Sequence, residues 1–224
     1  MILALETATP RQSIALFDDS KLLGFEEGQW GRSLTRHLLP AIQKLLKTHS
    51  LQVSAIEGLA ISIGPGSFTG LRVGLSTLTA FRLAFGIPLV GISTLEGLVW
   101  NVPDVKLPLL SMVSIRPGLV YWARYRWQEG QVITLQSEQI GDVTAVCEAL
   151  SEPTMVLGDG WVQNQSDIGA DRPNVVLPPS EALWPSARAI GKAGHGLLLK
   201  GELLPEGCTP NYIQPSYAER QNLT

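Results

Sequence analysis

The chain has 224 residues, of which 45% are hydrophobic and 17% are charged. This size and composition suit one large folded domain or two small ones, and they exclude a disordered or fibrous protein. The formal net charge of −3, spread along the chain, indicates no autonomous nucleic-acid surface, although it does not exclude a shared contact with RNA.

The first fifty residues are predicted to form three strands and a helix. Short apolar segments between turn residues predict strands at 1–7, 12–18 and 22–27. Apolar residues at helical spacing then predict a helix over 34–47 that Ser33 can cap. Because Pro40 lies inside this pattern, we expect a kink or a late start of the helix.

The next fifty residues add two more strands and two helices. The predicted elements are a strand at 58–63, a helix from Leu71 to about Phe85, a strand at 88–91 and a short helix from Ser93 to Trp100. The order β-β-β-α-β-α-β is typical of a ribonuclease-H-like α/β unit with a mixed sheet.

A Pro-rich stretch at 101–108 indicates a boundary, so we predict two lobes, 1–102 and a smaller α/β lobe at 103–224. The second half is predicted to contain strands at 109–113, 119–127, 131–136 and 154–157, and helices at 142–150 and 184–200. Residues 171–180 are predicted to be a surface loop.

The most informative stretch follows the strand at 58–63. It consists of Gly64, Pro65, Gly66, Ser67, Phe68, Thr69, Gly70, Leu71 and Arg72. A strand that passes through glycines into a helix can bind an anion or a partner, because the first helical N–H groups lack intrahelical acceptors. The alternative is a tight turn that only packs strand against helix. The stretch lacks the Lys of a Walker loop and the spacing of the dinucleotide fingerprint.

Arg72 lies in the first turn of the helix that follows, where the helix dipole disfavours a cation unless an anion is near. We therefore predict that any anion contact involves Arg72 and the N–H groups after Gly66, and that no nucleotide is held in the chain's own cleft. The alternative partner is a local Asp or Glu.

Residues for metal, nucleophilic or nucleotide chemistry are sparse, so we predict no catalytic, metal or cofactor site. The three histidines are isolated, and Cys147 and Cys208 are too few for a disulfide scaffold or a thiolate zinc site. Actin-like ATPases begin with an Asp-x-Gly phosphate hairpin, where this chain has Glu6 and no glycine. The carboxylates Glu6, Glu57, Glu96 and Asp159 are far apart in sequence, and the sequence alone brings no two of them together.

The helix at 71–85 is apolar on almost every side, although one sheet can cover only one face. A second polypeptide or the second half of the chain must cover the remainder. We predict that the partner interface is centred on apolar residues of this helix and the one at 34–47. These residues are Leu34, Leu38, Leu71, Leu75 and Leu78.

Four segments occur in an order that resembles the bacterial TsaB (YeaZ) family. They are MILALETAT at 1–9, LLP at 38–40, GPGSFTGLRVG at 64–74 and GISTL at 91–95. Weaker likeness continues through Val120-Tyr121, Gly158-Asp159-Gly160 and Pro210-Asn211-Tyr212. The resemblance implies two ribonuclease-H-like lobes of the actin/Hsp70-like (ASKHA) superfamily that have lost the catalytic apparatus.

The resemblance also implies partners. A TsaB-like chain would be the dimerisation subunit for threonylcarbamoyladenosine synthesis on tRNA, pairing through its first two helices with the catalytic TsaD subunit, with the ATPase TsaE joining them. A cytoplasmic protein with tRNA contact only through the complex is expected, since no signal peptide or membrane span is seen. The alternatives are an actin-fold ATP-binding kinase or hydrolase and a homodimeric chaperone-like module.

Several positions depart from the family pattern. Glu6 replaces an Asp, Leu34 stands where a His is frequent, and Ser114-Ile115-Arg116 keeps only the Arg of Asp-Ala-Arg. Tyr212-Ile213-Gln214 replaces Tyr-Leu-Arg. The changes at 114–116 and 212–214 bear on the second lobe.

Overall fold

The computed structural model describes residues 1–168 and 172–213, which form two five-stranded mixed sheets. Sheet 1 contains β1 (Ile2–Glu6), β2 (Gln12–Asp18), β3 (Lys21–Gly28), β4 (Gly58–Gly64) and β5 (Leu89–Ser93). Sheet 2 contains β6 (Leu109–Arg116), β7 (Leu119–Gln128), β8 (Gln131–Asp142), β9 (Thr154–Leu157) and β10 (Val175–Val176).

The two sheets repeat one topology. The strand order is β3-β2-β1-β4-β5 in sheet 1 and, in the equivalent direction, β8-β7-β6-β9-β10 in sheet 2. In each sheet the first strand pairs antiparallel with the second, and parallel with the fourth, as in the register Ile2↔Phe17 and Ile2↔Gly58. This repeat confirms the predicted architecture of two ribonuclease-H-like lobes, although the two halves share no obvious sequence identity.

Six α-helices cover the sheets. They are α1 (Leu34–Thr48), α2 (Phe68–Phe85), α3 (Thr94–Val99), α4 (Val143–Glu148), α5 (Asp159–Ile168) and α6 (Ala187–Lys200). Helices α1 and α2 pack on one face of sheet 1 and α6 on the other. Helix α3 packs on one face of sheet 2, and α4 and α5 on the other. The second half of the chain thus supplies a helix to sheet 1. The lobe boundary at residue 102 stays a prediction.

Helices α2 and α5 and strand β10 differ from the prediction, and for α1 the structure excludes a late start. Helix α2 begins at Phe68 rather than Leu71, because the Ser67 side chain caps it. Helix α1 begins at Leu34 and continues through Pro40 without a late start. Helix α5 was not predicted, since its polar sequence lacks a strong apolar period, and β10 lies inside the predicted loop at 171–180.

Within the described ranges, no helix is long and apolar enough to cross a membrane. Of the motif Tyr212-Ile213-Gln214, the first two residues are described and Gln214 lies outside the described residues.

Candidate functional site

The glycine loop joins β4 to α2 and packs on the end of β1. Gly64 has a φ of +111°, which favours glycine. A Cβ atom on Gly70 would lie 2.0 Å from the carbonyl oxygen of Thr7, and one on Gly74 would lie 2.3 Å from Thr7 Oγ1. The glycines therefore let α2 approach Thr7 more closely than any side chain would allow.

Several N–H groups of this loop are already used within the chain. The Ser67 N–H donates to the Ala8 carbonyl at 2.6 Å, and the Leu71 N–H donates to the Ser67 carbonyl at 2.9 Å. The Ser67 Oγ accepts from the Gly70 N–H at 3.2 Å. These bonds favour the packing interpretation of the loop over an anion cradle.

Arg72 has an aromatic environment instead of a local carboxylate. Its Nε donates to Tyr212 Oη at 2.9 Å. Its guanidinium carbon lies 3.8 Å from the ring centre of Phe68, which stacks on Tyr212 with 4.9 Å between centroids. Among residues 1–168 and 172–213, Arg72 has no ion pair with a carboxylate, so the local salt bridge expected as its alternative partner is not formed.

The cleft between the sheets contains two buried carboxyl groups, Glu6 at the end of β1 and Asp159 at the start of α5. Burial raises the pKa of Glu6 to about 7, and the nearby Asp159 adds to this. Burial likewise raises the pKa of Asp159 to about 6. The Ala8 N–H donates to Glu6 Oε1 at 2.6 Å, which offsets part of this rise in pKa.

Both carboxylate oxygens of Asp159 accept hydrogen bonds from the second half of the chain. Its Oδ1 accepts from the Ser114 N–H at 3.2 Å, and its Oδ2 accepts from Gln163 Nε2 at 2.9 Å. A cavity of about 280 Å³ opens beside it, with Thr9 and Ser67 on the opposite wall.

The sequence did not bring Glu6 and Asp159 together, although Glu6 lies near the end of one predicted strand and Asp159 follows another. Parallel strands of each sheet end at the cleft, and this rule could have paired them. In the part of the chain that the structure describes, no group of three or more His, Cys, Asp or Glu side chains could hold a metal ion.

The five leucines predicted to centre the partner interface lie inside the chain. Leu34, Leu38, Leu71, Leu75 and Leu78 are each at most 6% exposed. Leu34, Leu38, Leu75 and Leu78 belong to the core that α1 and α2 form with β1, β2 and β4, and Leu71 is buried beside Gly64. A partner cannot reach these side chains unless the helices move, because their contacts are already made within sheet 1 and its helices.

Other apolar residues of α1 and α2 are exposed. Leu39 is 53% exposed, Leu83 is 73% exposed and Phe85 is 56% exposed. Ser76 and Ala80, also exposed, precede Leu83 at helical spacing and place small side chains on the same side of α2. Phe85 lies on the core-facing side of α2, beyond the buried part of the helix. We call Leu39, Ser76, Ala80 and Leu83 the outer helical face.

The C-terminal segment 203–213 runs beside α2 and is held by backbone bonds. The Leu204 N–H donates to the Leu89 carbonyl at 2.8 Å, and the Asn211 N–H donates to the Ile63 carbonyl at 2.7 Å. Arg82 on α2 donates to the Leu204 carbonyl at 2.8 Å. The segment thus lies beside β5 at the edge of sheet 1, and Arg82 ties it to α2.

Comparison with known proteins gives the chain a family. A family model described as TsaD, tRNA N6-adenosine threonylcarbamoyltransferase, matches residues 29–173. The tRNA threonylcarbamoyladenosine biosynthesis protein TsaB of Escherichia coli (strain K12) is 30% identical, over 97% of this chain and 96% of its own. The protein of the same name from Bacillus subtilis (strain 168) is 24% identical over 70% of each chain.

Solved structures agree. YeaZ from Pseudomonas aeruginosa superposes with a TM-score of 0.77 at 26% identity, covering 94% of this chain and 98% of its own. The ethanolamine utilization protein EutJ from Carboxydothermus hydrogenoformans has a TM-score of 0.52 at 11% identity over 86% of this chain and 89% of its own, a likeness in fold alone. The match over almost the whole length, together with the GPGSFTGLR loop packed on β1, shows that the chain belongs to the TsaB (YeaZ) family.

Proposed function

We propose that this chain is a non-catalytic subunit for N6-threonylcarbamoylation of adenosine 37 in tRNA. It pairs with a TsaD-type catalytic subunit, and a TsaE-type ATPase joins the pair. Its relatives are named as tRNA threonylcarbamoyladenosine biosynthesis proteins, which supports a role in that pathway. The observation that carries the pairing role is the outer helical face, where large apolar side chains project from the two helices that cover sheet 1.

The outer helical face has the composition of a helix-packing surface. Ser76 and Ala80 are small enough for a partner helix to approach closely, and Leu83 on the same side of α2 offers apolar area to bury.

The glycine loop supports a non-catalytic role for this chain. The loop N–H groups of Ser67 and Gly70 that could bind a phosphate already have acceptors. A bound nucleotide would have to displace these bonds.

A reconstituted reaction tests the proposed function. Purified TsaD and TsaE, tRNA and threonylcarbamoyl-adenylate are incubated with and without this chain, and the modified nucleoside is measured by mass spectrometry. We expect product only when the chain is present, and equal product without it would refute the proposal. Micromolar binding of Mg-ATP by the isolated chain, measured by calorimetry, would favour the actin-fold kinase or hydrolase instead.

Leu83→Asp tests the pairing surface itself. Burying most of a leucine contributes about 1–2 kcal/mol, and an unpaired buried carboxylate adds a further penalty, so we expect pairing with TsaD to weaken at least about tenfold. The matched control is Leu199→Asp on α6, which is 76% exposed and lies away from the outer helical face. Both variants should melt like the wild type.

Co-purification and light scattering provide the measurement. Loss of the heterodimer with Leu83→Asp, and its retention with Leu199→Asp, would support the surface. Equal pairing by both variants would refute it. A mass of two copies of this chain without TsaD, and no change on adding TsaD, would favour the homodimeric module.

A further inference from the structure

The helices α1 and α2 carry basic side chains and no acidic ones. No Asp or Glu occurs between Glu27 and Glu57, or between Glu57 and Glu96, although the whole chain has more acidic than basic residues. The helical layer on this face of sheet 1 is therefore positively charged in a chain of net negative charge. The Lys and Arg residues of these two stretches are Arg32, Arg36, Lys44, Lys47, Arg72 and Arg82.

The carboxylates that border these stretches in sequence have partners of their own. Glu26 pairs with Lys44 at 3.2 Å, and Glu27 pairs with Arg11 at 2.6 Å. Glu57 pairs with the N-terminal amine. Of the six cations, these carboxylates therefore neutralise Lys44 alone.

Three cations on α1 and the turn before it have no carboxylate partner. Among the described residues, Arg32, Arg36 and Lys47 form no ion pair, and all three are exposed. Arg36 and Lys47 lie about three turns apart on the side of α1 opposite Leu38 and Leu45, which pack in the core. Arg32 precedes Arg36 by about one turn. These residues form a basic stripe on the outward side of α1.

Arg72 adds a cation at the start of α2. It is exposed and precedes Ser76 and Leu83 at helical spacing, so the three side chains lie on one side of the helix. Its guanidinium contacts aromatic side chains and no carboxylate among the described residues. The exposed leucines of the outer helical face, Leu39 and Leu83, thus belong to a surface that carries unpaired cations on both helices.

We propose that the outer helical face selects a partner surface with an apolar centre and a rim of carboxylates. This inference rests on the proposed pairing with a TsaD-type subunit, whose contact patch would then be acidic. An apolar centre with a polar rim is the usual form of a protein–protein interface, whereas nucleic-acid interfaces are more polar and would leave Leu39 and Leu83 unused. A second copy of this chain is disfavoured, because two basic faces repel each other.

The dependence of pairing on salt concentration tests the proposal. The Kd for TsaD is measured by calorimetry at about 50 mM and about 500 mM NaCl, which shortens the range of charge interactions about threefold. We expect the Kd to rise at least about tenfold, because salt screens the attraction between the cations and the carboxylates. An unchanged Kd would overturn this inference and leave the proposed pairing intact. No pairing at either concentration would refute the proposed function and this inference with it.

Two double charge reversals localise the effect. Arg36→Glu with Lys47→Glu should weaken pairing at least about tenfold at about 50 mM NaCl, and by less at about 500 mM. The control is Lys192→Glu with Lys200→Glu, which changes the net charge equally at exposed positions of α6, on the other face of sheet 1. Both proteins should melt like the wild type. Equal weakening by the two double variants would overturn the inference, since net charge alone would then explain the salt effect.

Two further measurements address the other occupants of this face. Binding of tRNA by the isolated chain that Arg36→Glu with Lys47→Glu abolishes, while pairing with TsaD is kept, would overturn the inference in favour of RNA. A mass of two copies at about 50 mM NaCl, measured by light scattering and reduced to one copy by Leu83→Asp, would place a second copy on this face and would also overturn it. We expect a monomer that binds no tRNA through these residues.

Discussion

Replacing Glu6 by glutamine measures what a buried carboxyl group costs the fold at neutral pH. The substitution keeps the side chain's shape and keeps an oxygen that can accept from the Ala8 N–H at 2.6 Å. It removes the charge that forms when Glu6 ionises beside Asp159. Because Glu6 is fully buried, almost no water compensates that charge.

The magnitude follows from the pKa of Glu6. Burial raises this pKa from 4.5 to about 7 in the folded chain. The folded state therefore holds a proton that the unfolded state releases, and stability falls as the pH rises across that window. At 1.36 kcal/mol per pKa unit, the full loss above about pH 7 is about 3 kcal/mol. Glu6→Gln does not titrate, so it should exceed the wild type by about this amount at about pH 8 and by little at about pH 4.

Urea unfolding followed by circular dichroism provides the assay, repeated across this pH range. Asp159 is present in both proteins, so the difference at each pH reports on Glu6 and its coupling to Asp159. Glu181→Gln, at an exposed position, is the control for a glutamate-to-glutamine change that leaves the core intact. A stability difference that stays constant with pH, or a less stable Glu6→Gln at about pH 8, would refute the reasoning.

Two further predictions concern α2. Gly70→Ala should destabilise the chain by about 3 kcal/mol or more in urea unfolding, since its Cβ would meet the Thr7 carbonyl at 2.0 Å. A Cβ on Gly196 in α6 would meet open space, so Gly196→Ala should stabilise the chain by up to about 1 kcal/mol. Equal effects of the two substitutions on the free energy of unfolding would contradict this reasoning. Arg82→Met should raise amide exchange in segment 203–213 at least about tenfold, because Arg82 donates to that segment; unchanged exchange there would contradict it.

The fold could be predicted because its elements have strong local patterns. Strands such as β4 are near-continuous apolar runs with glycine at one end, and α1 has a clear apolar stripe. Helix α5 lacks such a stripe. Its contacts with the core come from Trp161 and Ile168, which are too far apart in sequence to give a clear helical pattern. The position of α6 on sheet 1 depends on long-range packing of Ile190 against that sheet, which no local pattern encodes.

The candidate site was less predictable, for two physical reasons. The apolar surface of a helix can be buried by the helix's own sheet or by a partner protein, and the sequence does not distinguish these two possibilities. Leu75 and Leu78 meet the core, whereas Leu83, a turn further along, is exposed. The pairing of Glu6 with Asp159 depends on how two sheets face each other, which is a property of the tertiary structure alone.

The glycine loop has a structural counterpart in the second lobe. Strand β9 occupies in sheet 2 the position of β4 in sheet 1, and each continues through a glycine of positive φ into a helix: Gly64 at +111° and Gly158 at +104°. A Cβ on Gly158 would lie 1.9 Å from the Met112 carbonyl, just as one on Gly70 would meet Thr7. Both lobes thus use glycine to bring a helix onto the strand beside it. Packing of a helix onto a strand therefore explains the glycines of the family motif. The motif also leaves side chains at the surface, and Arg72 is the one with which we expect a partner to make specific contacts.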